Sequence, residues 1–260
     1  MDRSQQPKVY FLGAGPGDPE LLTRKGEKLL TDCDAVVYAG SLINPALLKL
    51  VSSNCQLYDS AELSKEEITD ILINHSRKGD KIVRLHSGDP GLYGAIQEQI
   101  DELKGWGIEV EIIPGISAYQ GAMAALKREF TLPGVTQTVI LTRHGKRTPV
   151  PEKEQLKNLA KNESTMCIYL STHLITEVVR ELTEGGLSGT TPVRVVYKAT
   201  WPDEQVISGT LNNISQKVAD AEISKTALIV VGHVLSSSDY QESKLYDKHF
   251  SHGFRKGKEE

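Results

Sequence analysis

The chain has little of what metal, redox or membrane chemistry requires. Its three cysteines, Cys33, Cys55 and Cys167, are odd in number, far apart and without a C-x-x-C pair. That spacing argues against a disulfide framework or a metal site and reads as buried free thiols. The seven histidines are scattered, with no H-E-x-x-H, which argues against a zinc hydrolase. No apolar run approaches the length of a membrane span. The opening Met1-Asp2-Arg3-Ser4-Gln5-Gln6-Pro7 has no apolar signal region, so a cytoplasmic protein is expected. A net charge of −4 argues against a nucleic-acid binder. There is no Walker sequence, no low-complexity segment and no strict repeat.

What is present suits a globular protein. With 260 residues, the chain is long enough for one large domain or two modest ones. The stretch that organises the rest is Val9-Tyr10-Phe11-Leu12-Gly13-Ala14-Gly15-Pro16-Gly17-Asp18-Pro19. It reads as a buried strand, a glycine-rich turn and a helix start. Asp18 is a good N-cap, and Pro19 fits the first helical turn. A dinucleotide fingerprint is rejected on two counts. The position of its third glycine is Asp18, whose carboxylate competes with a pyrophosphate for the same N–H groups. The second strand, Ala35–Tyr38, is followed by Ala39, Gly40 and Ser41 rather than by an acid for the ribose. A tight turn with no ligand remains open at this point.

Beyond the turn, helical character runs from Leu21 to Leu30, with a short helix from Pro45 to Lys49 and a short strand at Gln56–Tyr58. Ser64 with Glu67 forms a capping-box pattern, and Gly79 ends that helix. A strand at Lys81–Leu85 leads into His86-Ser87-Gly88-Asp89-Pro90-Gly91-Leu92-Tyr93-Gly94, a second Gly-Asp-Pro turn. Ile96, Ile100 and Leu103 mark a helix. Strand Glu109–Ile113 ends at Pro114-Gly115-Ile116-Ser117-Ala118, with Ser117 as N-cap of a helix over Ala118–Leu126. Alternating strands and helices favour a parallel sheet. Three glycine turns at its carboxyl edge would make a site for a small polar ligand, and three unrelated loops are the bland alternative. Asp89 could accept hydrogen bonds from that ligand, balance its charge, or simply cap the helix after Pro90.

The second half offers strands at Thr138–Leu141, Met166–Leu170, Pro192–Tyr197, Gln205–Ser208 and Ala227–Val231. Helices are expected over Glu152–Lys161, Leu174–Leu182 and Asn213–Ala221. The strands flanking Trp201-Pro202-Asp203 read as a hairpin, so this sheet should be mixed. The expected division is 1–130, 131–235 and a polar tail, 236–260. Thr142–Pro149 is locally basic. Such a run is usually a solvated loop, and its functional reading is a clamp for a polyanion.

These residues resemble a known family. Gly13–Pro19 with Leu21-Leu22-Thr23 and Lys25-Gly26, Ser87–Pro90 with Tyr93-Gly94, and Pro114–Ala118 look like the three ordered motifs of the tetrapyrrole methylases. Those are S-adenosylmethionine enzymes of corrin and siroheme synthesis. Gln137–Arg143, Arg147–Glu152, Val196–Glu204 and Lys244–Gly257 resemble the branch that methylates C-11 of precorrin-4 or cobalt-precorrin-4, so the likeness covers essentially the whole chain.

The resemblance implies an α/β fold of two α/β domains, a parallel-rich N-terminal sheet and a mixed C-terminal one, with the active site in the cleft between them. It also implies a homodimer, S-adenosyl-L-methionine as methyl donor, no protein-bound metal, and a tetrapyrrole substrate. Residue by residue, the implied cofactor contacts are Pro16, Ser87, Gly88, Asp89, Leu92, Ser117, Ala118, Leu170 and Ala199. Arg143, His144, Lys146, Arg147 and Lys198 are candidates to pair with substrate carboxylates. Many relatives carry an acid where this chain has Gly40, so no catalytic residue is assigned there. Methylation at another ring position or of uroporphyrinogen, and a non-catalytic S-adenosylmethionine-binding module, are the competing readings. A nicotinamide oxidoreductase is the outside one.

Overall fold

The computed structural model describes residues 7–146 and 148–258. It divides into two compact units. The first comprises the residues through Ala125 together with Lys198–Gln205, and the second comprises Leu126–Tyr197 and the residues from Val206 on.

In chain order the first unit contains β1 (Lys8–Gly13), α1 (Arg24–Thr31), β2 (Ala35–Tyr38), β3 (Gln56–Asp59), α2 (Lys65–Lys78), β4 (Ile82–His86), α3 (Gln97–Gly105), β5 (Glu109–Ile113) and α4 (Ala118–Leu126), whose last residue enters the second unit. Its five strands lie in the order β3-β2-β4-β1-β5, and every pairing is parallel. Side chains alternate between the two faces of a strand, and each face here is covered. Val9, Phe11, Val37 and Ile82 pack with Ile68 and Leu72 of α2 and with Ile100 and Leu103 of α3. Leu12, Val36, Val83 and Leu85 pack on the other face with Leu30 of α1 and with Leu47.

The second unit contains β6 (Val139–Arg143), α5 (Leu156–Leu159), β7 (Thr165–Tyr169), α6 (Ile175–Glu184), β8 (Pro192–Tyr197), β9 (Gln205–Thr210), α7 (Ile214–Asp220) and β10 (Ala227–Val231). Gln205 alone of these residues groups with the first unit. The strand order is β6-β7-β10-β8-β9. β6 and β7 are parallel, while β10 runs antiparallel to β7 and β8, so the sheet is mixed. Met166, Ile168, Val193, Val195, Ile229 and Val231 share a core with Val178 and Leu182 of α6 and Val218 of α7.

Several local expectations need correction. The helix expected over Leu21–Leu30 is two elements. Asp18 caps a 3-10 turn at Pro19–Leu21, and Thr23 then caps α1, each accepting a backbone N–H. The helix expected over Glu152–Lys161 is three short pieces: Gln155, extended at ψ 143, parts the 3-10 turn Glu152–Glu154 from α5, which passes into a second 3-10 turn at Ala160–Asn162. β7 stops at Tyr169, and Leu170 is left-handed at φ 54. β6 extends to Arg143, and β4 includes His86. Cys55 is half-buried rather than buried. The capping box at Ser64 and Glu67 is present in both directions, and Gly79 ends α2 at φ 86. No described helix is long and apolar enough to cross a membrane.

Candidate functional site

The site is built where three strands of the first sheet end. β4, β1 and β5 are neighbours in register, with Gly13 opposite His86 and Leu12 opposite Ile113. Their three outgoing turns therefore leave the same edge side by side. The turns then meet backbone to backbone. Ala14 donates to the His86 carbonyl at 2.7 Å. Gly15 and Gly88 exchange both hydrogen bonds, at 3.2 and 2.8 Å, each with positive φ (77 and 65). A Cβ on Gly13 would lie 2.6 Å from both Gly115 N and Gly88 O, closer than real atoms approach. Only glycine permits this three-way contact.

Asp89 fastens it. Its Oδ2 accepts from Gly115 N at 2.9 Å and its Oδ1 from Gly91 N at 2.8 Å. The carboxylate thus ties the second turn to the third. It caps no helix, since α3 begins only at Gln97. Each oxygen retains acceptor capacity beyond the one bond it makes. Ser117 is buried at the start of α4. Its carbonyl accepts from Gln120 and Gly121, and its N–H donates to Gln120 Oε1 at 2.9 Å. A Cβ on Gly88 would lie 3.6 Å from Ser117 Cα and 3.7 Å from Ala118 N, so the second turn and the α4 start are in contact range. Exposed Ser87 and half-buried Leu92 flank the second turn.

The hairpin tip between β8 and β9 completes this unit. Trp201 Nε1–H donates to Pro16 O at 3.0 Å, and Asp18 N–H donates to Thr200 Oγ1 at 3.0 Å. Trp201 also covers Gly17, and Pro16 and Ala199 both face Gly121 of α4. Lys198 and Thr200 are left-handed (φ 47 and 69). For a β-branched threonine this is a strained conformation, of the kind that concentrates at ligand sites. Asn44 Nδ2 donates to Gly17 O at 2.8 Å.

Glycine-lined backbone at adjoining parallel strand ends suits binding and alignment of a small polar ligand. The sequence matches the family model described as Tetrapyrrole (Corrin/Porphyrin) Methylases over residues 8–215. The chain belongs to the tetrapyrrole methylase family. It is 54% identical over 256 residues to the cobalt-precorrin-4 C(11)-methyltransferase of Methanocaldococcus jannaschii, covering 98% of each chain. Among solved structures it superposes on a cobalt precorrin-4 methyltransferase described as a cobalamin biosynthetic enzyme, with TM-score 0.88, 43% identity and coverage of 91% and 99%. The uroporphyrin-III C-methyltransferase of Thermus thermophilus complexed with S-adenyl homocysteine follows at TM-score 0.73 and 27% identity, covering 88% of this chain and 98% of that one.

Of the cofactor contacts inferred from the methylase motifs, Pro16, Ser87, Gly88, Asp89, Leu92, Ser117, Ala118 and Ala199 all lie in the first unit. Leu170 belongs to the second, 64% exposed at the end of β7. The four described basic candidates are engaged internally. Arg143 donates to the carbonyls of His144, Thr148 and Pro149. His144 Nε2 meets Glu181 Oε1 at 3.0 Å, and Lys146 Nζ meets Glu177 Oε1 at 2.6 Å. His144 and Lys146 also line an open groove of about 580 Å³ with residues of α6. Lys198 pairs with Asp203 at 2.6 Å and lies over the Trp201 ring. Arg147 lies outside the described residues.

Gly40 has φ +52, and a Cβ there would lie 3.1 Å from Asp59 Oδ1. A side chain at this position would be strained and would crowd that carboxylate. Among the described residues no three histidine, cysteine or acidic groups gather as a metal site.

Sequence reasoning placed Trp201 at a hairpin and Thr200 with Trp201 in the Val196–Glu204 stretch, but gave no site role to either, nor to Asn44 or Gly121. Gly121 carried a local signal as an isolated glycine inside a helix. Sequence reasoning also passed over two buried polar groups at the end of β4. Arg84 donates to Val37 O at 3.3 Å and Ser60 Oγ at 3.0 Å, and burial lowers its pKa to about 10. His86 stacks on Phe11 with ring centroids 5.9 Å apart. Burial, reinforced by the Arg84 charge, holds its pKa down at about 3, so it is neutral at pH 7.

Proposed function

We propose that this chain is an S-adenosylmethionine-dependent methyltransferase that methylates C-11 of cobalt-precorrin-4 or precorrin-4, giving the corresponding precorrin-5 in cobalamin biosynthesis. The observation that carries this reading is 54% identity to a cobalt-precorrin-4 C(11)-methyltransferase over 98% of both chains. The glycine-lined edge supports it physically. Gly13, Gly15, Gly88 and Gly115 let the three turns pack backbone to backbone into one edge beside the candidate contacts, and the S-adenyl homocysteine complex of a structural neighbour supports that choice of ligand.

When bound, the cofactor supplies an already activated sulfonium methyl. This chain's residues then need chiefly to hold and align donor and acceptor. In the first unit, Pro16, Ser87, Gly88, Asp89, Leu92, Ser117, Ala118 and Ala199 take the cofactor role. Leu170 is the candidate of the second unit. Asp89 keeps the second and third turns at fixed separation. Arg143, His144, Lys146, Arg147 and Lys198 are proposed to pair with carboxylates of the macrocycle, with Arg143, His144, Lys146 and Lys198 exchanging some of their internal partners for substrate. The enzyme acts as a cytoplasmic homodimer, which sedimentation of the purified protein and fractionation of its host would test.

The deciding experiment is a single turnover with methyl-labelled S-adenosylmethionine and precorrin-4, with and without cobalt, the label being located by NMR. Label at C-11 supports the assignment, and cobalt dependence selects the substrate form. Label at another carbon overturns the regiochemistry while keeping donor and fold. Cofactor binding with no transfer to any tetrapyrrole would make the chain a binding module.

A further inference from the structure

Two of the three cysteines, 22 positions apart in sequence, meet at the opposite edge of the first sheet from the glycine turns. β2 and β3 pair in parallel with Ala35 opposite Gln56. The residues just ahead of those strand starts, Cys33 and Cys55, are thereby carried side by side. Their sulfurs are 3.7 Å apart, which is van der Waals contact. Cys33 is buried and its thiol also lies 3.2 Å from Leu30 O, whereas Cys55 is half-buried. Cys167 is buried in the core strand β7 of the other unit.

We infer that Cys33 and Cys55 form a reversible disulfide site, oxidised by a peroxide. The partly exposed Cys55 sulfur attacks one peroxide oxygen. The O–O bond breaks, water leaves and Cys55 becomes a sulfenic acid. The Cys33 sulfur then attacks that sulfur, the S–O bond breaks and a second water leaves as the S–S bond forms. Two thiols give up two electrons and two protons in total, and the peroxide becomes two waters. Contact between the sulfurs is what favours closure over further oxidation of Cys55.

Residues 34–54 lie between the two cysteines and include Gly40 and Asn44, whose side chain holds Gly17 O of the first turn. A covalent bond at the base of this segment therefore fixes a loop that reaches the candidate site. Burial raises the pKa of both thiols. Oxidation should accordingly quicken toward alkaline pH, because the thiolate is the attacking form.

The test uses the full chain treated with hydrogen peroxide, alkylated under denaturing conditions and mapped without reduction. The expected product is a Cys33–Cys55 linked peptide, abolished by dithiothreitol, with Cys167 still alkylated. The oxidised protein should also melt at a higher temperature than the reduced one, and Cys33→Ser should remove that rise. In Cys33→Ser, Cys55 should accumulate a sulfenic acid trapped by dimedone. In Cys55→Ser, Cys33 should remain a thiol. Circular dichroism of both variants checks that they fold. Sulfinic or sulfonic acid at Cys55 with Cys33 still alkylated would overturn the inference. So would a bridge between two chains, or full alkylation of both thiols after exposure that oxidises an unfolded control.

Discussion

Replacing Gly17 by alanine tests the packing of the first turn directly. Gly17 is not in the left-handed region, so its backbone tolerates alanine and the cost comes from space alone. A Cβ would sit 2.8 Å from Trp201 Cγ and closer still to Cδ1 and Nε1 of the same ring. The indole must move, and with it goes its 3.0 Å hydrogen bond to Pro16 O. Overpacking costs about 1–3 kcal/mol and the hydrogen bond about 0.5–1.5 kcal/mol, so Gly17→Ala should destabilise by about 1.5–4.5 kcal/mol. Trp201→Ala removes the obstruction. In that background the added methyl should cost little, giving a favourable coupling of nearly the whole single-mutant cost, about 1.5–4.5 kcal/mol, in a double-mutant cycle. Urea unfolding followed by circular dichroism measures the four stabilities. Calorimetric titration of S-adenosylmethionine on the same proteins should give weaker affinity for Gly17→Ala. Stability effects additive to within about 0.5 kcal/mol would refute the packing described for Gly17 and Trp201.

Asp89→Asn turns one carboxylate acceptor into a donor facing a backbone N–H. The lost charge-assisted bond should lower stability by about 1.5–3 kcal/mol, read by urea unfolding, and by freeing the second turn from the third it should weaken S-adenosylmethionine binding, read by equilibrium dialysis. His86 should make stability fall on acidification. Its folded pKa, about 3, lies below the usual 6.5, so the unfolded chain takes up the proton first. The His86 contribution is complete above pH 6.5 and is lost progressively toward pH 3, with a slope of up to about 1.4 kcal/mol per pH unit. Unfolding of His86→Leu across that range should show a correspondingly flatter pH profile. Lys146→Gln removes an ion pair exposed by 56% and 33% on its two sides. It should change stability by less than about 1 kcal/mol. If Lys146 pairs with substrate, its KM for the tetrapyrrole should rise while S-adenosylmethionine affinity stays constant.

Local chemistry alone determined much of the molecule. Glycine and proline placement marked the turns. Short apolar runs marked buried strands, and Ser64 with Glu67 marked the α2 start, because each of these signals acts within a few residues. The three motif turns were recognisable for the same reason, and they gave the family and a site list that falls mainly on one sheet edge. Tertiary structure decided what those motif residues do. Asp89 is a tie to Gly115, a partner 26 positions away, which no spacing rule reveals. Trp201 holds Pro16 from 185 positions away because a hairpin tip returns to the first unit. Cys33 and Cys55 lack any recognised spacing, yet parallel pairing of β2 and β3 brings their sulfurs into contact. Even the basic run at Arg143–Lys146, plain as charge in the sequence, found its side-chain partners among loop carbonyls and α6 carboxylates that no spacing rule reveals. Sequence periodicity fixes which face a residue presents, whereas strand order and register choose what that face meets.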